Sequence, residues 1–254
     1  MRPDLFLGIH GPEVGNFQRF LNMRGAFLTV DEAFGPMTER AVKEWQIAEN
    51  IPEKAGVVSA LSRKRAQEQG FIPFIRARNY TPVLTDLNQK PREIELIVIH
   101  TMEAPDKPHT AENVALWFAG SSAPKASAHY CVCSEETVQC VRDRDVAWHA
   151  NQANHNGIGI EHAGYARQTA EEWMSEFNQK MLLRSAKLVA RLCVEYTIPI
   201  VKLTPDDLKS KLSGICGHID VNNAFAGGKG HVDPGQNFPW QQYLHLVQDN
   251  LVDA

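Results

Sequence analysis

The segment Ile94–His100 places the strongest single constraint on the fold. Except for Glu95, every residue that precedes His100 in it is apolar, and most are β-branched. This pattern is typical of a strand buried in the centre of a sheet. Further strand-like runs at 128–133, 138–141 and 157–161 alternate with amphipathic helical segments. Strands that alternate with helices, some joined as hairpins, predict an α/β fold with a mixed central sheet flanked by helices.

Histidine is distributed unevenly along the chain. Of ten histidines, only His10 precedes position 100, and the other nine fall within residues 100–254. Imidazole binds metals and exchanges protons near neutral pH. The chemistry is therefore expected in the second part of the chain.

Charge and hydropathy exclude several classes of partner. Lysine and arginine number 26 against 30 aspartate and glutamate, so the net charge is -4, and no basic block argues for nucleic acid. No apolar run approaches the ~18 residues of a membrane span. The first ten residues lack the apolar region and cleavage site of a secretory signal. We expect a monomer without a membrane partner, made in the cytoplasm and dependent on another agent for its release.

The N-terminal region, residues 1–70, is predicted to be a small three-helix domain. Apolar residues recur at helical spacing from Val14 to Leu21, and Thr38 is a candidate N-cap for a second helix. Pro73, Pro82 and Pro91 then predict a connector over residues 71–91. Residues 92–254 form the predicted catalytic domain.

A set of residues in the N-terminal region resembles the small peptidoglycan-binding domain that accompanies many cell-wall hydrolases. The matching positions are Val14, Phe17-Gln18, Leu21, Gly25, Asp31, Phe34-Gly35, Thr38, Ala41-Val42, Trp45-Gln46 and Val57. The resemblance implies a wall-binding module whose contacts come from exposed groups near the turn. The alternative is that these residues only form the core of a helical bundle.

Three residues of the second region are of the types that bind zinc. Catalytic zinc sites take three protein ligands from His, Asp, Glu or Cys and keep a fourth position for water. His100, His218 and Asp233 are candidates, each beside small or turn-forming residues. Their spacing alone does not specify a metal.

Six blocks of the second region resemble zinc-dependent N-acetylmuramoyl-L-alanine amidases, which are related in fold to peptidoglycan recognition proteins. In chain order they are Ile97-Val-Ile-His100-Thr, Ser127-Ala-His129-Tyr, Ala147-Trp-His149-Ala, Asn156-Gly-Ile-Gly-Ile-Glu161, Cys216-Gly-His218-Ile-Asp-Val and His231-Val-Asp233-Pro-Gly. The resemblance implies that His100, His218 and Asp233 bind Zn²⁺. It also implies that Glu161 is the general base.

The chain also departs from the family pattern at two positions, and two further histidines are candidates for the cleft. Many relatives have a lysine two residues before the last ligand, where this chain has His231, so His231 is expected to donate to the developing oxyanion. His149 and His129 are expected to line the cleft and bind substrate, with a structural role as the alternative for each. Ala128 stands where some phage relatives have a catalytic tyrosine, which leaves proton transfer to Glu161.

The combined resemblance implies a cell-wall-lytic enzyme that cleaves the bond between N-acetylmuramic acid and L-alanine. Its layout resembles a modular phage endolysin, stored in the host cytoplasm and released to act at the cell wall or periplasm. The alternatives are a bacterial autolysin or recycling amidase, a zinc peptidase that cuts within the stem peptide, and a non-catalytic peptidoglycan receptor.

Overall fold

A computed structural model describes residues 3–83, 92–228 and 230–251 of the chain. Its contacts divide the chain into two compact units, Met1–Phe74 and Ile75–Ala254. Within the described ranges, no helix is long and apolar enough to cross a membrane.

The first unit is a three-helix bundle of α1 (Pro12–Asn22), α2 (Pro36–Ala48) and α3 (Ala60–Glu68). Proline stands at the first helical position of α1 and α2, where its missing N–H has no partner to lose. The helices enclose an aromatic core in which the Phe20 and Trp45 rings meet edge to face, with centroids 5.3 Å apart. The other aromatic rings of this core are those of Phe17, Phe34 and Phe71.

Thr38 is not the N-cap that the sequence predicts. The second helix begins at Pro36 after Gly35, so Thr38 lies inside its first turn and is buried. Its Oγ1 accepts a hydrogen bond of 3.1 Å from the side-chain amide of Gln18. The same amide donates to the Asp31 carboxylate over 2.8 Å. Gln18 therefore ties α1 to the turn that precedes α2.

The second unit contains a five-stranded sheet, which confirms the predicted mixed α/β fold with flanking helices. Its strands are β2 (Leu96–Thr101), β3 (Tyr130–Val132), β4 (Thr137–Gln139), β6 (Gly157–His162) and β7 (Gly214–Gly217), in the spatial order β4-β3-β6-β2-β7. Neighbouring strands are parallel except for the edge strand β4, which is antiparallel to β3. The helices are α4 (Thr110–Ala119), α5 (Ala170–Trp173), α6 (Glu176–Tyr196), α7 (Pro205–Lys209), α8 (His218–Phe225) and α9 (Trp240–Asp249), with a 3₁₀ turn at Asn151–Ala153.

The central strand β2 is buried along its whole length, as its composition predicts. Leu96 and Val98 pack with Leu203, Leu208 and Val221 of the segment that carries α7 and α8. On the opposite face of the sheet, the hydroxyl groups of Ser185 in α6 and Tyr243 in α9 form a buried hydrogen bond.

The predicted connector, residues 71–91, is divided between the two units. Phe71 belongs to the core of the first unit. The Ile75 N–H donates to the Gln139 carbonyl in the second unit, and β1 (Tyr80–Thr81) pairs antiparallel with β5 (Val146–Ala147). Residues 84–91 lie outside the described residues. The division of the chain into a wall-binding domain (1–70), a connector (71–91) and a catalytic domain (92–254) stays a prediction.

Candidate active site

The site lies at the carboxyl ends of three adjacent parallel strands. His100 is near the end of β2, Glu161 is its register partner near the end of β6, and His218 follows β7 directly as the first residue of α8. Side chains at paired positions of neighbouring strands point to the same face of a sheet. The strand ends of an open α/β sheet are also where such folds bind ligands.

His100, His218 and Asp233 form a candidate metal site. One potential ligand atom from each lies within 4.8 Å of the other two. Nδ1 of His100 is 2.9 Å from one Asp233 carboxylate oxygen, and Nδ1 of His218 is 3.2 Å from the other. All three residues are buried, with exposed fractions of 2%, 4% and 6%.

The protonation states of this cluster suit a cation. Burial is the largest effect on His100 and lowers its pKa, although the hydrogen bond and charge of Asp233 raise it in part. Burial alone would raise the pKa of Asp233, but its close contacts with Nδ1 of His100 and of His218 hold it far below its usual value. These shifts favour a neutral imidazole at His100 and an ionised carboxylate at Asp233, which are the forms that bind metals.

The backbone around Asp233 is fixed by close packing. Its carbonyl accepts a hydrogen bond of 2.9 Å from the Ile219 N–H, at the start of α8. Gly235 follows with a φ of +91°, and a Cβ there would come 1.9 Å from the Ala166 carbonyl oxygen. Only glycine fits this position, so the glycine of the Asp233-Pro-Gly block is needed to set the loop.

Glu161 carries a carboxyl group with unsatisfied hydrogen-bonding capacity. Its Oε2 is buried and has no hydrogen-bond partner among the described residues. Burial raises the pKa of Glu161 well above its usual value, and the negative charges of Asp233 and Glu103 raise it further. A carboxyl group whose pKa is shifted upward suits both uptake and release of a proton.

His149 lies against His100 at the base of the site. Its Nδ1 is 3.1 Å from Nε2 of His100, while its own Nε2 is buried without a hydrogen-bond partner in the described part of the chain. The ring fits because residue 159 is glycine, since a Cβ there would lie 2.5 Å from Cγ of His149. The Asn154 side chain accepts hydrogen bonds from the N–H groups of His149 and Ala150, which fixes this loop.

His129 does not reach the cleft, contrary to the sequence-based expectation that it binds substrate. Its ring is fully buried, and its Nδ1 accepts a hydrogen bond of 3.0 Å from the Gly159 N–H. Nε2 therefore carries the proton, and it lies 3.1 Å from the Asp145 carbonyl oxygen that accepts it. Both ring nitrogens are thus used by the backbone, which corresponds to the structural alternative.

His231 lies at the exposed mouth of the cluster. Its ring stacks on that of His218 with centroids 4.4 Å apart and planes 17° from parallel. Its side chain is 72% exposed, and its Nδ1 is 3.6 Å from an Asp233 carboxylate oxygen. An incoming substrate can therefore reach the imidazole. Lys229, the nearest lysine to Asp233 in sequence, lies outside the described residues.

Arg92 is a contributor that the sequence does not reveal. Its buried guanidinium donates to the carbonyls of Asp143, Asn154, His155 and Gly157, which bracket the loop that carries His149. Burial lowers the pKa of Arg92 to about 10. No local motif marks this arginine, because its partners are brought together only by the fold.

Comparisons with known proteins agree with this geometry. Residues 90–236 match the family described as N-acetylmuramoyl-L-alanine amidase, and residues 10–60 match a peptidoglycan binding domain. The chain is 30% identical over 164 residues to N-acetylmuramoyl-L-alanine amidase A of Achromobacter lyticus, covering 59% of this chain and 81% of that protein. It is 28% identical over 186 residues to the 1,6-anhydro-N-acetylmuramyl-L-alanine amidase AmpD of Haemophilus influenzae, covering 64% and 88% respectively.

A solved structure shares the fold. The Staphylococcus aureus hydrolase AmiA in complex with its ligand aligns with a TM-score of 0.52 at 14% identity, covering 84% of this chain and 90% of that one.

Proposed function

The chain belongs to the N-acetylmuramoyl-L-alanine amidase family and hydrolyses an amide bond of peptidoglycan, and we propose that it does so with zinc held by His100, His218 and Asp233. The observation that carries the proposal is the convergence of two histidine Nδ1 atoms on one buried carboxylate. Nδ1 of His218 supports it further, because this buried atom lacks a hydrogen bond of good geometry within the described ranges.

The donor set fits zinc. Two imidazoles and one carboxylate are a combination found in catalytic sites that keep a fourth position for water. When bound, zinc supplies a Lewis acid that polarises the scissile carbonyl and lowers the pKa of water toward ~7.

Glu161 moves the proton in the proposed reaction. Its carboxylate accepts a proton from the water whose oxygen bonds to the lactyl carbonyl carbon. It then delivers that proton to the L-alanine nitrogen as the carbon–nitrogen bond breaks. The raised pKa of Glu161 supports this role, because the carboxyl group then holds the proton more firmly until the nitrogen receives it. The products are a carboxylate on N-acetylmuramic acid and a free stem peptide that begins with L-alanine.

His231 is proposed to stabilise the charge that develops on the carbonyl oxygen. Its exposure and its stacking on His218 support the role, because the ring can reach a substrate oxygen beside the metal ligands. Ala128 is fully buried and has no acidic or basic group, so it offers no competing donor.

Mass spectrometry of digested sacculi tests the proposal. We expect intact glycan strands and free stem peptides that begin with L-alanine, with release abolished by a chelator and restored by added zinc. Peptides cut internally would indicate a peptidase instead. A metal-loaded protein that binds sacculi and releases nothing would indicate a receptor.

We also propose that the intact cell wall is the working substrate, as in a phage endolysin held in the host cytoplasm until release. The added peptidoglycan-binding domain supports this, because a recycling enzyme for soluble fragments has no evident need of one. Rates on sacculi and on soluble anhydromuropeptides separate the two roles. Faster cleavage of the soluble fragments would favour recycling. Phage origin, the cytoplasmic phase and the monomeric state stay predictions.

A further inference from the structure

Phe27 combines two unfavourable features on the loop between α1 and α2. Its side chain is 93% exposed to solvent. Its backbone φ is +52°, in the left-handed region that bulky residues rarely adopt. Neither feature contributes to the stability of the bundle. Ile47 is also 75% exposed, but it lies in the regular helix α2.

The loop holds Phe27 in this position. The Ala26 N–H donates to the Leu21 carbonyl over 3.2 Å. On the other side, the Asn22 side chain donates to the Leu28 carbonyl over 2.8 Å and accepts from the Leu28 N–H over 2.6 Å. Both neighbours of Phe27 are therefore anchored to the end of α1. Its outward ring therefore projects from an anchored stretch of backbone, and a left-handed backbone at a bulky residue is a feature that clusters at ligand-binding sites.

We propose that Phe27 is a stacking platform for a pyranose ring of the glycan strand. The inference rests on the proposed action on the intact wall and on the peptidoglycan-binding match, whose range 10–60 includes Phe27. A pyranose presents a face of C–H groups that packs against an aromatic ring, and the glycan strand repeats this face along its length. Because the backbone on both sides of Phe27 is already anchored, binding costs little additional ordering of this loop.

The neighbouring cation argues for the sugar rather than for the charged stem peptide. Arg24 is near Phe27 in sequence, but its guanidinium already donates to the side chain and carbonyl of Gln69 and to the Phe20 carbonyl. It also lies 3.9 Å above the centroid of the Phe20 ring. These contacts hold the guanidinium against the bundle, so Phe27 and not Arg24 is the recognition group that we propose.

Binding of the full chain to glycan strands stripped of stem peptides tests the proposal. Such strands contain no scissile amide, so binding is measured apart from cleavage. We expect Phe27→Asn to weaken binding by about tenfold, the effect of losing one anchoring aromatic ring. Phe27→Trp should retain wild-type affinity because it keeps a stacking ring. Ile47→Asn is the matched control and should bind as the wild type does.

Asparagine tolerates the left-handed region, so Phe27→Asn is expected to fold with unchanged or raised thermal stability. Wild-type affinity in Phe27→Asn would overturn the proposal. An equal loss of glycan binding in Phe27→Trp would overturn it too. So would a Phe27→Asn variant that binds glycan strands as the wild type does but binds free stem peptides more weakly. Cleavage of a soluble muramoyl peptide should be the same in Phe27→Asn and wild type. Absence of that cleavage in the wild type would contradict the amidase proposal and leave the glycan result standing.

Discussion

Nε2 of His100 lies 3.1 Å from Nδ1 of His149, while Nδ1 of the same His100 ring lies 2.9 Å from Asp233. A metal-binding histidine usually donates its second ring N–H to a neighbouring acceptor, which fixes the orientation of the ring. When Nδ1 of His100 binds a metal, its Nε2–H can donate to Nδ1 of His149. This arrangement is the basis for a role of His149 behind the ligand, and its direct contact with substrate stays a prediction.

His149→Ala should weaken zinc binding by about 10- to 100-fold, the range found when such a supporting partner is lost. Competition with a chromophoric chelator measures this affinity without reference to turnover. His149→Asn is the matched variant, because its side-chain oxygen can replace Nδ1 as the acceptor and should restore part of the affinity. Unchanged zinc affinity in His149→Ala would show that His149 does not orient His100.

Gly159→Ala should displace the His149 ring, because the added Cβ would lie 2.5 Å from its Cγ. Overpacking of this kind costs about 1–3 kcal/mol in the free energy of unfolding, and zinc affinity should fall with it. Gly35→Ala is a suitable control, since a Cβ there meets nothing within 4 Å. In a double-mutant cycle, Gly159→Ala should lower zinc affinity less when His149 is already alanine. Additive losses of zinc affinity would show that residue 159 does not act through the His149 ring.

A buried chain of hydrogen bonds predicts how stability depends on pH. The His100 carbonyl can only accept, so Nδ1 of His162, 3.2 Å away, carries the proton. Nε2 of His162 then accepts from the Ser185 hydroxyl over 2.6 Å, and Ser185 accepts from the Tyr243 hydroxyl over 2.7 Å. His162 must be neutral for this chain to form. Burial accordingly lowers the pKa of His162 to about 4.

Between about pH 6.5 and pH 4 the unfolded chain binds a proton at His162 that the folded chain does not. The stability that neutral His162 contributes should therefore fall as the pH drops through this window, by about 2 kcal/mol at a pH of about 5. Urea unfolding of wild type and His162→Gln at about pH 7 and about pH 5 measures this. The variant should lose less stability between the two pH values, and equal losses would refute the assignment.

The sequence predicts the sheet because buried strands leave a local pattern, whereas the site blocks are identified by their resemblance to the amidase family. The apolar run before His100 requires a buried strand, and parallel strands bring His100, Glu161 and His218 to one edge. Contacts between distant segments leave no such pattern. Tyr80 pairs with Ala147, so part of the predicted connector belongs to the second unit.

The burial of His129 is likewise set by distant residues. Arg92 lies 3.3 Å from its ring, and the Gly159 N–H donates to it. The sequence block around His129 contains neither partner. The sequence alone therefore cannot distinguish a histidine that lines the cleft from one that is buried for structural reasons.

Glu161→Gln should lower turnover while raising the stability of the metal-free protein. Turnover should fall by at least about 10²-fold, because glutamine cannot accept the proton from water. Zinc affinity should change little, since Glu161 is outside the His100, His218 and Asp233 cluster. The metal-free variant should be more stable than the metal-free wild type at neutral pH, because it no longer buries a carboxyl group that is disfavoured when ionised.

The pH dependence of that stability difference gives the sharper measurement. The folded-state pKa of Glu161 is raised, so above its usual value of 4.5 the folded chain holds a proton that the unfolded chain has released. Wild-type stability should therefore decline as the pH rises from that value toward the folded-state pKa, and the variant should lack this decline. Thermal unfolding of both metal-free proteins across this pH range measures the difference. A parallel decline in the stability of wild type and variant would contradict the raised pKa of Glu161. In that case its burial would not poise it for proton transfer.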